Sequence, residues 1–371
     1  MNDAPPRPLR IAMMLESDGP GGAEYVLIQL SEELRRRGHT IIPVGPDRGL
    51  GWLDRVLREK GFETEKFSLR RPIDLGCLRG MVRLLRRTRV DLVHAHEFTT
   101  AVYGAAAARI VGKPYVITMH GAQTVLNAWR RRAALAWAFK GSQATVGVSD
   151  DTSTYMERTL KLPPGIVTTV RNGIPVRPGN GEAVRTELGL RPGELLLVAV
   201  GNLVPRKGHR VLLEALQPLA GPDVPPWRLA IAGRGRQKEP LQQLAGELGI
   251  ADRVHLLGHR DDIPDLLAAA DVFVMPSLWE GLPLAILEAM FAGKPVIASA
   301  ISGIPEAIES GVQGLLVPGG DAPALTGALR QVLTDPARRA ALGAAGRRRA
   351  EAEFTIEHMT DAYERLYARR R

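Results

Sequence analysis

The sequence predicts an α/β protein that contains two doubly wound parallel sheets. Short apolar runs of strand length alternate with longer stretches whose apolar residues follow helical spacing. This alternation stops at a turn-rich segment, 172–181, and then begins again. With 371 residues, of which 45% are hydrophobic, the chain has enough material for two domains of ordinary size. Ligands of such sheets bind beyond the carboxyl ends of the strands, so we look there for functional residues.

Each predicted strand is an apolar run bounded by turn-forming residues. In the first half of the chain these runs cover 9–15, 40–44, 90–95, 115–119, 144–148 and 167–170. In the second half they cover 195–200, 228–232, 254–257, 272–275, 295–298 and 314–317. From Ala322 onward the pattern is helical and rich in alanine and arginine, and the last helix precedes no further strand.

The composition argues against several classes of protein. Cys77 is the single cysteine, which excludes an intrachain disulfide framework and a cysteine-rich metal site and is typical of a reducing compartment. No run approaches about 18 uninterrupted apolar residues, the length that a membrane-spanning helix needs. We therefore predict a cytoplasmic protein without a signal peptide or a membrane span.

The net charge of +9 is concentrated in the first half of the chain. Through Asn172 there are 26 Lys and Arg against 17 Asp and Glu, whereas the remainder has 23 of each kind. The main basic clusters are 35–37, 83–89 and 130–132, and such clusters are usually solvated helix faces. Aromatic residues interleave only the third cluster. An anionic membrane surface or a lipid phosphate is therefore a more plausible partner than nucleic acid.

Glycines and histidines follow the strands of the first half. Gly21 and Gly22 open the first predicted helix, either as a plain tight turn or as a place where the backbone approaches a phosphate or sugar. His120 ends the fourth predicted strand, where a structural role and a ligand-binding role are both open. His94 and His96 lie on one face of a strand end, but two ligands without a third make only a weak metal site.

Cations and glycines follow the strands of the second half. Arg206 and Lys207 suit a diphosphate, because arginine forms a bidentate fork and lysine supplies a point charge, although solvated loop charges are the alternative. Gly233 belongs to a partial match of a nucleotide-binding turn, and Gly258 closes the next strand. Four successive strand ends carry glycine or charge, and this convergence is stronger evidence than any one of them.

Two glutamates, Glu280 and Glu288, frame the loop and helix that follow the strand at 272–275. Gly281, Leu282 and Pro283 lie between them, and we predict that the helix begins near Pro283. Glu280 then lies at the helix N-terminus, where an anionic ligand is favoured. A hydrolytic acid and base pair is the obvious alternative. The apolar helix neighbours of Glu288 argue against it, since a carboxylate there is costly unless it meets hydroxyls or amides. A Glu288 that is merely solvated on an exposed helix face stays open.

These motifs resemble those of the retaining glycosyltransferases of family 4, which have the GT-B fold of two Rossmann-like domains that face a central cleft. The resemblance covers nearly the whole chain and rests on Glu280 and Glu288, with Gly281, Leu282 and Pro283 between them, and on the Arg206–Lys207 pair. It implies an N-terminal acceptor-binding domain over 1–173 and a nucleotide-sugar donor-binding domain over 174–353. It also implies a final helix, 354–371, that packs back on the N-terminal domain.

The resemblance also implies roles for individual residues. Arg206 and Lys207 would bind the donor diphosphate, Glu280 the hydroxyls of the donor sugar, Glu288 the nucleotide ribose, and His120 the sugar near its reacting carbon. The substrate-binding set further includes Gly21, Gly22, Asn172, Gly233, Gly258, Gly281, Leu282 and Pro283. Retention of configuration without a required metal or cofactor is implied, the two cations offsetting the charge of the leaving diphosphate. We favour front-face attack that is assisted by the leaving phosphate.

Two segments depart from the family pattern. Ser302 and Gly303 stand where relatives often have two glycines, which leaves the contact of this loop with the sugar open. The segment Arg234-Gly235-Arg236 stands where a glycine-proline step is common.

The leading functional hypothesis is transfer of a hexose from a nucleoside diphosphate sugar to a lipid-linked or polysaccharide acceptor, in cell-envelope or exopolysaccharide synthesis. The basic N-terminal half adds a possible peripheral contact with the inner face of the cell membrane. The alternatives are a soluble small-molecule acceptor and a non-catalytic sugar-nucleotide-binding scaffold on the same fold. The donor sugar, its base and the linkage are not predicted.

Overall fold

The computed structural model describes residues 7–49, 51–121 and 128–369, and the chain divides into two compact units. Unit 1 comprises the chain up to Gly173 together with the segment from Ile356 onward. Unit 2 comprises Ile174–Thr355. Each unit is an α/β domain with its own parallel sheet, which confirms the predicted fold class.

Unit 1 alternates strands and helices along most of its length. Its strands are β1 (Arg10–Leu15), β2 (Thr40–Pro46), β3 (Glu65–Phe67), β4 (Leu92–His96), β5 (Tyr115–Met119), β6 (Ala144–Gly147) and β7 (Val167–Thr169). The helices between them are α1 (Gly22–Arg36), α2 (Trp52–Glu59), α3 (Leu75–Thr88), α4 (Phe98–Val111), α5 (Trp129–Lys140) and α6 (Asp150–Leu160).

All strands of the unit 1 sheet are parallel, in the order β3-β2-β1-β4-β5-β6-β7. Ile11 through Leu15 of β1 are fully buried, as expected for a central strand that has helices on both faces. Ala12, Met14 and Val93 point into a core that α3, α4, α5 and α6 cover. The adjacent residues Met13 and His94 therefore face the opposite side of the sheet.

The sequence pattern did not predict β3. This edge strand has three residues, and Phe67 is the buried one. A strand with a single buried residue leaves no alternation to detect, so only its pairing with β2 reveals it.

Unit 2 repeats the architecture. Its strands are β8 (Leu195–Val200), β9 (Trp227–Ala232), β10 (Val254–Gly258), β11 (Val272–Met275), β12 (Val296–Ser299) and β13 (Gly314–Val317). Its helices are α7 (Glu182–Glu187), α8 (His209–Leu216), α9 (Lys238–Glu247), α10 (Ile263–Ala269), α11 (Leu284–Phe291), α12 (Ile304–Ala307), α13 (Ala322–Thr334) and α14 (Pro336–Glu353). The strands are parallel in the order β10-β9-β8-β11-β12-β13. Each of the six predicted strand runs of this half agrees with an observed strand to within one residue at either end.

The last helix, α15 (Ile356–Tyr367), belongs to unit 1 and packs against α1. Arg37, which follows α1, donates hydrogen bonds to Asp361 at 2.5 Å and to Glu364 at 2.6 Å. The ring of His39 also lies 3.0 Å from Glu364. Tyr363 and Tyr367 are buried on the same helix. Both ionic and apolar contacts therefore hold the end of the chain on unit 1.

Candidate active site

The strand order of the unit 2 sheet reverses between β8 and β11, which are neighbours although β9 and β10 come between them in the chain. Ligands of doubly wound sheets bind at such a switch point. Arg206 and Lys207 follow β8, and the loop Pro276–Pro283 follows β11. Two of the predicted motifs therefore lie at one edge of this sheet.

Lys207 and Glu280 form a largely buried ion pair at this edge. Lys207 Nζ lies 2.5 Å from Glu280 Oε1, and Ser277 Oγ donates to the same oxygen at 2.7 Å. Arg206 Nη1 lies 3.9 Å from the other carboxylate oxygen. The Arg206 side chain is 49% exposed, against 13% for Lys207 and 7% for Glu280. Two cations share one carboxylate, so the cluster keeps a positive charge, and Arg206 is its most accessible member.

The backbone holds these two loops together. The N–H of Leu278 donates to the carbonyl oxygen of Arg206 at 2.7 Å. Gly208 has a φ of 66°, and a Cβ at that position would lie 1.9 Å from the carbonyl oxygen of Pro276. Only glycine fits such an approach, so Gly208 allows the cations and Glu280 to meet.

Gly233 and Gly258 lie along the same edge of the unit 2 sheet, at the ends of β9 and β10. The N–H of Gly233 donates to the carbonyl oxygen of Gly258 at 2.7 Å. A Cβ on Gly233 would lie 1.9 Å from the carbonyl oxygen of Gly201. Gly258 has a φ of 73°. The close backbone approach at Gly233 and the positive φ at Gly258 thus favour glycine at both positions. The role of the two glycines in substrate binding stays a prediction.

Gly281, Leu282 and Pro283 lead from Glu280 into α11. Leu282 and Pro283 are buried, and α11 begins at Leu284, one residue after the predicted start. Pro283 occupies the N-cap position, with extended backbone angles, and not the first helical position. Two residues of this tripeptide are therefore buried in unit 2. The N-terminus of α11 follows the tripeptide directly.

Glu288 lies in the middle of α11 and is half-buried among apolar neighbours. Its carboxyl group makes no hydrogen bond or ion pair with any residue that the structure describes. Desolvation raises its pKa to about 7, against the opposing charge of Arg177. Glu288 is therefore not a solvated surface carboxylate, and hydroxyl groups of a ligand would satisfy it.

The loop after β12 contains the departure at Ser302. Its φ of 47° lies in the left-handed region, which glycine adopts without strain. Gly303 follows as the N-cap residue of α12, with a φ of −77°. Serine therefore stands at the position of this loop that favours glycine.

Unit 1 has the same kind of switch point, between β1 and β4, and His120 lies close to it at the end of β5. His120 Nε2 lies 2.9 Å from Nδ1 of His96, and the His120 backbone N–H donates to Glu97 Oε1 at 3.0 Å. Burial lowers the pKa of His120 to about 4. The ring is therefore neutral at neutral pH.

His94 and His96 are buried polar residues with partners on every ring nitrogen. His94 lies 2.8 Å from Thr118 Oγ1 and 2.8 Å from the Tyr367 hydroxyl. His96 contacts His120 and, at 3.1 Å, the Met13 sulfur. Within the described residues, no group of three or more His, Cys, Asp or Glu side chains is arranged to hold a metal ion.

Glu97 is a candidate active-site residue that the sequence did not lead us to predict. It follows β4 at the switch point with a φ of 68°, a strained conformation for glutamate. Burial, reinforced by the charge of Glu16, raises its pKa to about 8. The strand-end rule that selected His120 could have found it, because Glu97 is the first charged residue after the predicted strand.

Gly21, Gly22 and Asn172 complete the predicted set. A Cβ on Gly21 would lie 2.7 Å from Glu24 Oε2, whereas one on Gly22 would meet no atom within 4 Å. Gly22 therefore borders open space at the start of α1. Asn172 is buried, one residue before the first segment of unit 1 ends at Gly173.

The third basic cluster lies on α5, where Arg130, Arg131 and Arg132 are exposed. Trp129 is 67% exposed and Trp137 is 43% exposed. The Arg109 guanidinium lies 4.0 Å from the ring centroid of Trp137. We call residues 129–132 and 137 the basic-aromatic surface. Among the helices that the structure describes, none combines the length and the apolar character needed to cross a membrane.

Comparisons with known proteins agree with the geometry of both units. The model of Glycosyltransferase Family 4 matches residues 20–177, and that of Glycosyl transferases group 1 matches residues 181–349. An Escherichia coli UDP-Gal:alpha-D-GlcNAc-diphosphoundecaprenol alpha-1,3-galactosyltransferase is 30% identical over 71% of this chain and 71% of its own. A Streptomyces fradiae 2-deoxystreptamine N-acetyl-D-glucosaminyltransferase is 31% identical over 87% of this chain and 85% of its own.

The fold also has solved relatives. The Anabaena protein HepE, crystallised in complex with UDP-glucose, superposes with a TM-score of 0.86 over 97% of this chain and 100% of its own, at 24% identity. At that identity the likeness concerns the fold. The matches to both family models and to curated enzymes show that this chain is a glycosyltransferase of family 4, with the group 1 domain in its second half.

Proposed function

We propose that this glycosyltransferase moves a hexose, with retention of configuration, from a nucleoside diphosphate sugar to a lipid-linked or polysaccharide acceptor. The observation that carries the donor part is the cluster of Arg206, Lys207 and Glu280 at the switch point of the unit 2 sheet. Its net positive charge suits a diphosphate, and its buried carboxylate suits sugar hydroxyls. Relatives that are named for UDP-linked donors support the same assignment.

In the proposed reaction the acceptor hydroxyl attacks the anomeric carbon on the face that the diphosphate leaves. The bond from this carbon to the diphosphate oxygen breaks, and a diphosphate oxygen takes the hydroxyl proton. Arg206 and Lys207 would offset the charge that develops on the leaving group, so the proposal requires no metal ion. Glu288 would bind the ribose, and neutral His120 would contact the sugar. Unit 1 would supply the acceptor site.

The donor assignment is tested with Lys207→Met and Glu280→Gln. Each variant removes charge-assisted hydrogen bonds, so we expect the affinity for the preferred nucleotide sugar to fall on the order of ten- to a hundredfold. Calorimetric titration with UDP-, GDP- and ADP-linked hexoses measures this affinity, and transfer is assayed in parallel. Arg348→Met, which removes an exposed cation on α14, is the control. Wild-type affinity and transfer in both test variants would refute the assignment.

The lipid-linked acceptor is supported by the basic-aromatic surface of unit 1, where exposed arginines adjoin exposed tryptophans. Such a surface suits the boundary of an anionic membrane, since tryptophan enters the headgroup region and arginine attracts anionic lipid. We propose that the enzyme binds peripherally to the inner face of the cell membrane. The E. coli relative, which is named for a diphosphoundecaprenol-linked substrate, supports an acceptor of this class.

Vesicle sedimentation tests the membrane proposal. Binding should rise with the fraction of anionic lipid and fall with salt, and Arg130→Gln combined with Arg132→Gln should weaken it on the order of tenfold. The matched control is Arg347→Gln combined with Arg348→Gln, which removes two exposed arginines of unit 2. Equal losses in the two double variants would show that only net charge matters and would contradict a specific surface.

A soluble small-molecule acceptor is the second candidate, and the Streptomyces relative named for 2-deoxystreptamine favours it. Two measurements distinguish the candidates. Absence of vesicle binding at low salt, together with transfer to soluble acceptors, would favour the second.

A further inference from the structure

A line of three side chains leads from the centre of the unit 1 sheet to His120. The Met13 sulfur on β1 lies 3.1 Å from His96 Nε2, and His96 Nδ1 lies 2.9 Å from His120 Nε2. Met13 and His96 are fully buried. The rings of His96 and His120 are nearly parallel, with an interplanar angle of 13° and centroids 5.2 Å apart. Each contact uses one particular ring nitrogen, so the contacts determine which nitrogen of each ring carries the proton.

The chemistry of the Met13 sulfur determines which atom is the donor in each of these hydrogen bonds. A thioether has no hydrogen to donate, so His96 Nε2 must carry the proton of that contact. Full burial keeps His96 neutral, because it holds the pKa of His96 well below its ordinary value. A neutral imidazole carries a single N–H, so His96 Nδ1 is an acceptor. His120 must then donate from Nε2, which leaves Nδ1 of His120 unprotonated.

His94 does not interfere with this assignment. Its ring packs against that of His96 at an interplanar angle of 34° with centroids 4.2 Å apart, but its two nitrogens bind Thr118 and Tyr367. Tyr363 completes this group through its hydroxyl, 3.0 Å from Thr118 Oγ1. His94 therefore packs against His96 without offering it a proton or a lone pair.

We propose that Met13 and His96 set the tautomer of His120, so that His120 presents Nδ1 as a hydrogen-bond acceptor to a hydroxyl group of the bound sugar. His96 is then a positioning residue for the transferase. This inference rests on the proposed function where it takes the sugar as the ligand. Nδ1 of His120 makes no hydrogen bond with any described residue, so it is available for that role.

The opposite tautomer is the alternative. It would place a lone pair of His96 Nε2 against the sulfur and leave this buried nitrogen without a hydrogen bond. An unsatisfied buried polar atom disfavours that arrangement on the order of tenfold or more. Replacement of Met13 by leucine removes the acceptor while nearly conserving the volume, so the preference should largely disappear.

Nitrogen NMR of selectively labelled histidine rings in the full-length protein tests the assignment. In the wild type, we expect Nε2 of both His96 and His120 to carry the proton. In Met13→Leu, we expect the second tautomer of both rings to appear together. Met14→Leu is the matched control, because Met14 is an equally buried neighbour on β1 that faces the other side of the sheet. A protonated Nδ1 of His120 in the wild type, or unchanged tautomers in Met13→Leu, would overturn the proposal.

Kinetics separate this inference from the proposed function. With His120 as acceptor for the sugar, Met13→Leu should lower kcat/KM for the donor about twofold, because about half of the molecules then present an unprotonated Nδ1. Met14→Leu should leave kcat/KM unchanged. A tautomer change without a kinetic change would refute the role of His120 at the donor sugar and leave the tautomer assignment in place. Unchanged tautomers would refute the inference whatever the kinetics. Melting temperatures of both variants verify that they are folded.

Discussion

The three glutamates near the two switch points have different electrostatic surroundings. Glu280 is held by Lys207, Arg206 and Ser277, so its charge is compensated before a ligand arrives. Glu97 accepts a backbone hydrogen bond, and burial raises its pKa to about 8. Glu288 has no hydrogen-bond or ion-pair partner among the described residues, and its pKa rises to about 7. With a pKa of about 7, Glu288 has a carboxyl group whose charge changes with pH near neutrality.

The raised pKa of Glu288 predicts pH-dependent donor binding. An ionised carboxylate accepts hydrogen bonds from two ribose hydroxyls, whereas the protonated acid is a poorer acceptor. Donor affinity should therefore rise between about pH 6 and pH 8, by at most tenfold per unit below the pKa. Calorimetric titration with an intact nucleotide sugar measures it. In Glu288→Gln the affinity should be lower and independent of pH, and a pH dependence that persists there would contradict this role.

At the scale of elements, one arginine makes several of the ionic contacts that hold α15 on unit 1. Arg37 donates to Glu33, Asp361 and Glu364, and its side chain is 19% exposed. These contacts join the end of α1 to a helix more than three hundred residues later in the chain. The Tyr367 hydroxyl of α15 contacts His94 Nδ1, and the Tyr363 hydroxyl contacts Thr118, which in turn contacts His94 Nε2. The position of this helix therefore bears on the histidines beside His120.

Arg37→Met should weaken the attachment of α15. It leaves Glu364 and Glu33 with less compensation in a partly buried setting, so we expect unit 1 to lose about 2 kcal/mol of unfolding free energy. Arg36→Met is the matched control, since Arg36 is 66% exposed and pairs only with Glu33 among the described residues, and it should leave the free energy of unfolding nearly unchanged. Hydrogen exchange of the α15 amides reports the local effect. Equal losses in the two variants would contradict it.

At the scale of the whole molecule, buried neutral histidines make stability depend on pH. Burial lowers the pKa of His94 to about 3 and the pKa values of His120 and His209 to about 4, against an ordinary value of 6.5. Between the folded pKa values and 6.5, the unfolded chain binds more protons than the folded one. The contribution of these histidines to the free energy of unfolding is therefore complete above pH 6.5 and is lost as the pH falls. Glu97 and Glu288, whose pKa values are raised, oppose this trend in part.

The free energy of unfolding should accordingly fall between about pH 6.5 and pH 5. Each buried histidine contributes up to about 1.4 kcal/mol per pH unit. His94→Gln should reduce the slope by roughly that amount, because it removes one group that must be protonated on unfolding. Denaturant titrations at several pH values measure the slope. The exposed His259→Gln is measured in parallel, and an equal reduction there would contradict the assignment to buried histidines.

Much of the architecture was predictable because its signals are local. Apolar runs marked β8, β11 and β13 over the same residues as the structure, since buried parallel strands are continuously apolar. The edge strand β3 was missed because it buries one side chain. The strand-end rule located Arg206, Lys207, Glu280 and His120, but it did not reveal which of them touch.

The sequence by itself therefore determined the two-sheet class of the fold and the strand ends that carry charge, because periodicity and composition are properties of neighbouring residues. Only the tertiary structure decided that Lys207 meets Glu280 across 73 residues, that His96 meets His120 across 24, and that Arg37 meets Asp361 across 324. These contacts follow from strand order and from the packing of α15. Strand order and long-range packing depend on how the whole chain buries its apolar surface. No short stretch of sequence contains that information.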